Sequence, residues 1–277
     1  MKSILKIKNL TKIYGKGHTA VRAVDNVNLE VGASEVVLIM GPSGSGKTTL
    51  LSCAGALLRP TFGSIKINNQ EITKLSDGAL SKIRLKNIGF VFQSFNLLQA
   101  LTAQENIEVV FNLVGIKRKE AKEKSRKLLE KLGLGGRLNH MPPQLSGGEQ
   151  QRVAIARALA LDADLILADE PTGNLDSKTG HEVLALLCKI ACDEKRSVLV
   201  VSHDQRLRDV ADRVITFEDG KIKNEEKRTY EHHDLVCGMK VNRTEFVASY
   251  NGKTYCFCSS NCLNKFKISP EKYINKH

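Results

Sequence analysis

The sequence predicts an α/β fold with a parallel core sheet, an antiparallel β layer beside it, an inserted helical subdomain and a small cysteine-rich α+β module at the end. Three observations carry the prediction. Runs of β-type residues alternate with helical patterns over residues 1–225, the mark of βαβ construction. EVVLIM (35–40), DLILAD (164–169) and SVLVVSH (197–203) are near-continuous aliphatic runs, as expected of strands with helices on both faces. Four of the seven cysteines, Cys237, Cys256, Cys258 and Cys262, cluster near the end of the 277 residues.

Taken in order, LKIKNL (5–10), VNLEV (27–31) and GSIKINN (63–69) alternate apolar and polar residues and predict the antiparallel layer. From about 94 to 160 the pattern is mostly helical. Within it, KRKEAKEKSRKLLEKLG (117–133) mixes lysines and glutamates around Leu128, Leu129 and Leu132, an amphipathic surface helix with no aromatic residues for base stacking. After VITFEDGKIKN (214–224) the polar residues 226–233 read as a linker, which divides the chain into a domain over 1–225 and a module over 234–277. About 44 residues seldom hold a core without a metal, a disulfide or a partner.

The 42% apolar content supports a real core, and the charges are well mixed. A formal charge of +12 admits two readings, an anionic partner or a lysine-rich solvated surface. No apolar run approaches the roughly 20 residues of a membrane-spanning helix, and MKSILKIKNL lacks the apolar region of a signal peptide, so a soluble, cytoplasmic product is expected.

EVVLIM runs directly into GPSGSGKTT (41–49), which fits G-x-x-x-x-G-K-[ST]. Gly41, Gly44 and Gly46 let the chain wrap closely round phosphates, and the N–H groups from Ser43 and Ser45 through Thr49 supply donors at a helix start. Lys47 reaches the β/γ-phosphates and Thr48 can ligate magnesium. LILADE places Asp169 and Glu170 at the carboxyl end of a buried strand, where open α/β sheets bind ligands. Asp169 there holds the magnesium through water, and Glu170 polarises the attacking water. LSGGEQQR (145–152) sets Ser146, Gly147 and Gly148 at another helix N-terminus, with a hydroxyl and N–H groups ready for an anion. A second anion-binding helix end makes most sense if it closes on the nucleotide of another copy.

With these parts in view, residues 1–225 resemble the ATPase subunit of an ABC transporter. The family's parts stand in order as Tyr14, GPSGSGKTT, Gln93 in VFQ, LSGGEQQR, LILADE, NLD ending in Asp176, and His203 in VSHD. The resemblance implies a P-loop ATP hydrolase that forms a head-to-tail homodimer around two Mg-ATP. It implies Tyr14 against adenine, Gln93 on magnesium and the γ-phosphate, His203 on the γ-phosphate, and Asp176 across the dimer interface. SKIRLKNIGFVFQSFNLLQALTAQENI (81–107) is similar to the lipoprotein-releasing and macrolide-exporter type. That implies export or extraction through a separate membrane permease, with the chain peripheral on the cytoplasmic face. The residues around Phe95, Leu97 and Leu98 then either receive a permease helix or pack internally. The rival is a soluble ABC ATPase acting on nucleic acid. Such proteins commonly carry two ATPase halves or a large inserted arm; this chain shows one half and no arm, so no nucleic acid is expected.

Cys53, Cys188 and Cys192 sit among apolar neighbours and read as core. In TYCFCS, Cys256 and Cys258 share one side of a strand while Tyr255 and Phe257 share the other. Ser259 or Ser260 can cap a short helix, SNCLNKF, that carries Cys262 back over Leu263 and Phe266. In a reducing cytosol thiolate coordination of a soft metal explains the cluster better than a disulfide. The tail also resembles the YHS domain, related to TRASH metal-sensing domains, through DLVCGMKV (234–241), YNGKTYCFC (250–258), Cys258 with Cys262, and PEKY (270–273). The resemblance implies Cys237, Cys258 and Cys262 as ligands. Leu235 stands where a proline is common and Cys256 where an aromatic is typical, so Cys256 offers a fourth thiolate. Four thiolates make a closed zinc-type site; three leave room for exchange or for Cu(I). His232 and His233 are either further ligands or solvated linker residues, and the tail either handles metal or is only structural.

Overall fold

The computed structural model describes residues 3–209, 211–228, 232–238, 240–241, 246–257 and 260–274. In chain order the strands are β1 (Ser3–Tyr14), β2 (Val21–Gly32), β3 (Val36–Met40), β4 (Phe62–Ile67), β5 (Gln70–Glu71), β6 (Ile88–Val91), β7 (Leu165–Asp169), β8 (Ser197–Val201), β9 (Arg213–Glu218), β10 (Lys221–Lys227), β11 (His232–His233), β12 (Lys240–Val241), β13 (Val247–Tyr250) and β14 (Lys253–Cys256). The helices are α1 (Lys47–Ala54), α2 (Asp77–Asn87), α3 (Ala103–Leu113), α4 (Arg118–Lys131), α5 (Gly147–Leu159), α6 (Ser177–Asp193), α7 (Ser260–Ile268) and α8 (Pro270–Ile274).

The main sheet has the order β10-β9-β3-β8-β7-β6, parallel throughout except for the antiparallel edge strand β10. Every residue of β3 and β8 is buried, as their unbroken aliphatic runs demand. Successive side chains on these strands enter different cores, because the strand period is two. Val36 and Leu38 join a core shared with α3, α4 and α5, while Val37 and Ile39 join one shared with the antiparallel sheet β2-β1-β4-β5. The alternating segments of the sequence form that second sheet, and the helical stretch forms the α3–α5 layer, as the pattern predicts.

Four described helices begin on side-chain caps, α2 among them on the Ser76 hydroxyl, which accepts from the N–H of Ala79. Thr102 and Glu105 close a capping box at α3, Ser146 and Glu149 close another at α5, and Asp176 accepts from the N–H groups of Lys178 and Thr179 at α6. α4 is the predicted surface helix, held to the core by Ala121 and Leu129. Its charges are largely self-paired, for example Arg126 between Glu123 and Glu130.

The segment predicted as a linker is partly sheet. β10 pairs with β9 as far as Lys227, and His232 and His233 pair with Val241 and Lys240. A charged sequence is no bar to an edge strand whose side chains face water. In the tail, β13 and β14 form a hairpin that packs on α7. Its core is small: Phe257, Cys262 and Phe266, with the rings of Phe257 and Tyr255 at 4.9 and 5.1 Å from that of Phe266.

Candidate functional site

β3 delivers the chain into the glycine-rich loop, and α1 starts at its far end. Gly46 caps α1 with φ 100°, and a Cβ there would lie 1.9 Å from the carbonyl oxygen of Ala23, so only glycine fits. Gly41 follows the last residue of β3, Ser43 and Gly44 form the exposed crown, Ser45 is buried, and Thr49 lies in the first turn of α1. The buried ammonium of Lys47 curls back and donates to the carbonyls of Gly41 and Pro42, both at 2.8 Å. Its charge is thereby centred inside the loop.

β7 lies beyond β8 from β3, so its carboxyl end faces the start of α1. The hydroxyl of Thr48 donates to Asp169 at 3.1 Å, which brings together two oxygen ligands from positions 121 residues apart. Burial, reinforced by the neighbouring charge of Glu170, raises the Asp169 carboxyl above the usual carboxylate range. A divalent cation beside these two oxygens relieves that penalty, so the pair fits magnesium.

Glu170 has φ 44°, a left-handed conformation that costs about 1–2 kcal/mol for a residue with a Cβ. Its own N–H bonds to the Val201 carbonyl at 2.9 Å, and its carbonyl accepts from Gly173 at 3.0 Å, which holds the turn. The carboxylate accepts from the Ser202 hydroxyl at 2.7 Å and meets Nδ1 of His203 at 3.0 Å. His203 is otherwise exposed, at the end of β8. The expected acid and the expected histidine are thus one hydrogen-bonded unit, and Ser202, which the sequence reading passed over, aims it. The signal for Ser202 lay in its place between the strand VLVV and His203.

Gln93 lies over the turn after Glu170. A Cβ on Gly173 would come 3.0 Å from its Nε2, and Asn174 donates to its carbonyl at 2.9 Å. The guanidinium of Arg157 holds the following bend through the carbonyls of Asn96 and Phe95, at 2.6 and 3.0 Å. Of the apolar residues there, Leu97 is buried, Phe95 packs against the core, and Leu98 is exposed. Tyr14 ends β1 with 43% of its surface exposed, and the ammonium of Lys12 stands 5.3 Å from its ring centre.

The helix end at LSGG differs from the expectation in one respect. The N–H of Ser146, one of the donors foreseen for an anion, is bonded within the capping box, because a glutamate three residues on reaches back, and the Ser146 hydroxyl accepts in turn from the Glu149 N–H. Those bonds, with Arg137 beside them, hold the Glu149 carboxyl below its ordinary range. Gly147 and Gly148 supply the first-turn N–H groups outside the box. A Cβ on Gly148 would lie 2.2 Å from Cγ2 of Thr179, so this glycine lets α5 approach α6. Asp176 caps α6, and its bonds from Thr179 depress its carboxyl.

In the tail, one oxygen of Asp234 and the Sγ atoms of Cys237 and Cys262 all lie within 4.8 Å of one another. Asp234 is fully buried, and its Oδ1 accepts from the N–H groups of Val236 and Cys237 at 2.8 and 3.4 Å. Two of the four predicted thiols are thereby brought together, with an acid that the sequence reading did not select. The signal was the Asp-x-x-Cys spacing of a side-chain-capped turn. Cys258 and Ser259 lie outside the described residues. Cys256 is not in the group: it is buried with Val241 in the larger core, whereas Tyr255, Phe257 and Cys262 belong to the tail core. The physical reason is the strand period, which turns Cys256 away from its two neighbours. His232 is half-buried and His233 exposed, and neither joins the group. Cys53 and Cys188 are core residues, and burial lifts the Cys53 thiol to about 11; the side chain of Cys192 lies outside the description.

Comparison with known proteins accords with this geometry. The family model described as ABC transporter matches residues 24–173, and that of the YHS domain matches 232–277. An uncharacterised ABC transporter ATP-binding protein of Thermotoga maritima is 48% identical over 82% of this chain and 97% of its own length. The macrolide export ATP-binding/permease protein MacB of Hyphomonas neptunium is 46% identical over 79% of this chain, which spans 34% of that protein. The ATP-binding cassette MJ0796, from Methanocaldococcus jannaschii, was solved as a dimer in a post-hydrolysis state bound to ADP and Pi. It superposes with a TM-score of 0.75 at 45% identity, over 82% of this chain and all of that one. No described helix is long and apolar enough to cross a membrane.

Proposed function

The chain belongs to the ABC transporter ATP-binding family, an ATP hydrolase, and from that premise we propose that it powers export or extraction through a separate membrane permease while its tail binds a metal. The observation that carries the motor's mechanism is the unit Ser202–Glu170–His203 beside the pair Thr48–Asp169. Bound Mg-ATP supplies the electrophilic phosphorus and the cation that neutralises its oxygens. Lys47 and the N–H groups of Gly44 to Thr49 would hold the phosphates; Thr48, Asp169 and Gln93 would hold the magnesium. Glu170, aimed by Ser202, takes the proton of the attacking water, and His203 contacts the γ-phosphate. Tyr14 stacks on adenine.

The chain acts as a homodimer, in which Ser146, Gly147 and Gly148 of one copy close on the nucleotide of the other and Asp176 lines the seam. The dimeric cassette among its relatives supports this reading. The permease seat is a groove of about 560 Å³ lined by Leu57, Leu85, Phe90, Phe92, Val110 and Leu113. Exposed Leu57 and Leu113 at its walls suit an apolar helix face, and Arg157 ties this groove to the loop after Gln93. The chain then works at the cytoplasmic face of the membrane. Its tail takes a soft or borderline metal such as Cu(I) or zinc at Cys237, Cys262 and Cys258.

The test of the motor is Glu170→Gln in the full chain. Hydrolysis should fall by about 10²- to 10⁴-fold, the range of one general base, while ATP binding persists and ATP-bound dimer accumulates on a sizing column. Hydrolysis at the normal rate would remove Glu170 from the role of base.

A further inference from the structure

We infer that the tail's metal site is a mixed carboxylate–thiolate centre in which Asp234 is a ligand beside Cys237 and Cys262, that Cys256 is a packing residue outside it, and that the site selects a divalent cation of the zinc type over Cu(I). The inference rests on the reading that the tail binds metal.

The geometry is specific. With three ligand atoms mutually within 4.8 Å, a cation at their centre stands at most about 2.8 Å from each, no more than roughly 0.5–0.8 Å beyond ordinary Zn–S and Zn–O bonds of ~2.0–2.3 Å. A small contraction closes the site. The carboxylate is already placed for it. Its Oδ1 accepts the N–H groups of Val236 and Cys237, and Gly238 N–H bonds the Asp234 carbonyl at 2.7 Å, with Gly238 at φ 77°. Asp234 therefore shapes the turn that carries Cys237 and points into the same space as its thiol. Cys262 arrives from the first turn of α7, anchored by Phe266 one turn later.

Charge argues in the same direction. A carboxylate with no exposed surface is costly to bury, and a divalent cation offsets more of that cost than a monovalent one. Carboxylate oxygen suits harder, divalent ions, whereas Cu(I) prefers sulfur alone. Cys256, the residue best placed by sequence to complete an all-sulfur site, instead lies in the larger core with Val241.

The experiment uses the full chain, prepared metal-free without oxygen, with Zn²⁺ as ligand and Co²⁺ as its optical probe. X-ray absorption of the zinc-loaded protein should show sulfur and a lighter oxygen-type neighbour; a shell of four sulfurs overturns the inference. Asp234→Asn keeps an oxygen acceptor for the turn but removes the charge, and should weaken Co²⁺ binding by about 10- to 100-fold. Cys256→Ser should change it by less than about twofold, as for a structural cysteine. Protease resistance of the metal-free variants reports whether the turn survives. Equal affinity in Asp234→Asn and the parent, or a loss in Cys256→Ser matching that in Cys237→Ser, overturns the inference while leaving a metal-binding tail. Absence of Zn²⁺ and Co²⁺ binding by the parent overturns both the inference and the reading beneath it.

Discussion

The phosphate loop and the thiol turn both position a charged side chain by backbone hydrogen bonds, yet they stand on very different foundations. Lys47 is held by two carbonyls of its own loop, at the carboxyl end of an interior strand of a sheet that feeds two large cores. Asp234 is held by two N–H groups of its own turn, in a module whose core has three buried side chains among the described residues. The first site is backed by a large fold; the second is backed by a small core. Small domains generally lack the buried area to offset chain entropy alone.

The largest expected effect tests that contrast directly. Phe266→Ala should cost about 3–5 kcal/mol, more than so small a core can absorb, and should make the tail protease-sensitive. ATP hydrolysis should remain within about twofold of the parent if the two regions are energetically separate. Parallel loss of hydrolysis would show that the tail is part of the cassette's cooperative unit, for which the seat of Val241 and Cys256 in the larger core is the physical route.

An intermediate effect is expected at Gly148. Alanine there places a methyl group 2.2 Å from Thr179 and must push α5 from α6, an overpacking cost of about 1–3 kcal/mol. The cassette's melting temperature should drop by about 2–4 °C per kcal/mol, hydrolysis should fall, and Zn²⁺ affinity of the tail should be unchanged. A fall in Zn²⁺ affinity would break the separation from the other side.

The smallest effect concerns pH. Burial raises the Asp169 carboxyl, so the folded chain holds its proton more readily than the unfolded chain. Stability from this group is therefore lost as pH rises through the window between its ordinary and raised pKa, and its ionised form is a burden at neutral pH. Asp169→Asn should raise the magnesium-free melting temperature by about 1–2 °C at neutral pH, a modest gain because the group is partly solvated. The gain should fade below the ordinary carboxylate pKa, and hydrolysis should be lost. A lower melting temperature at neutral pH would place the Thr48 bond above desolvation in the balance.

Legibility followed the range of the interactions. Lys47, Thr48, Asp169 and Glu170 could be read because local rules place them, a loop between strand and helix and two acids at a strand end. The pairing of Ser202 and Arg157 with their partners could not, because Glu170 and the Phe95–Asn96 bend lie 32 and about 62 residues away. LILADE predicts a magnesium acid followed by a base; the left-handed turn that aims Glu170 at Ser202 has no local signature.

The thiol tail divides along the same line. That strand residues 255 and 257 share a side opposite 256 follows from a two-residue period, and the sequence determined it unaided. Which side meets the Asp234–Cys237–Cys262 group and which meets the larger core depends on how the hairpin lies against α7 and β11, a matter of packing between distant segments. Only the tertiary structure decided it, setting Cys256 in the core and bringing Asp234 to Cys237 and Cys262, because burial is a property of neighbours and not of spacing.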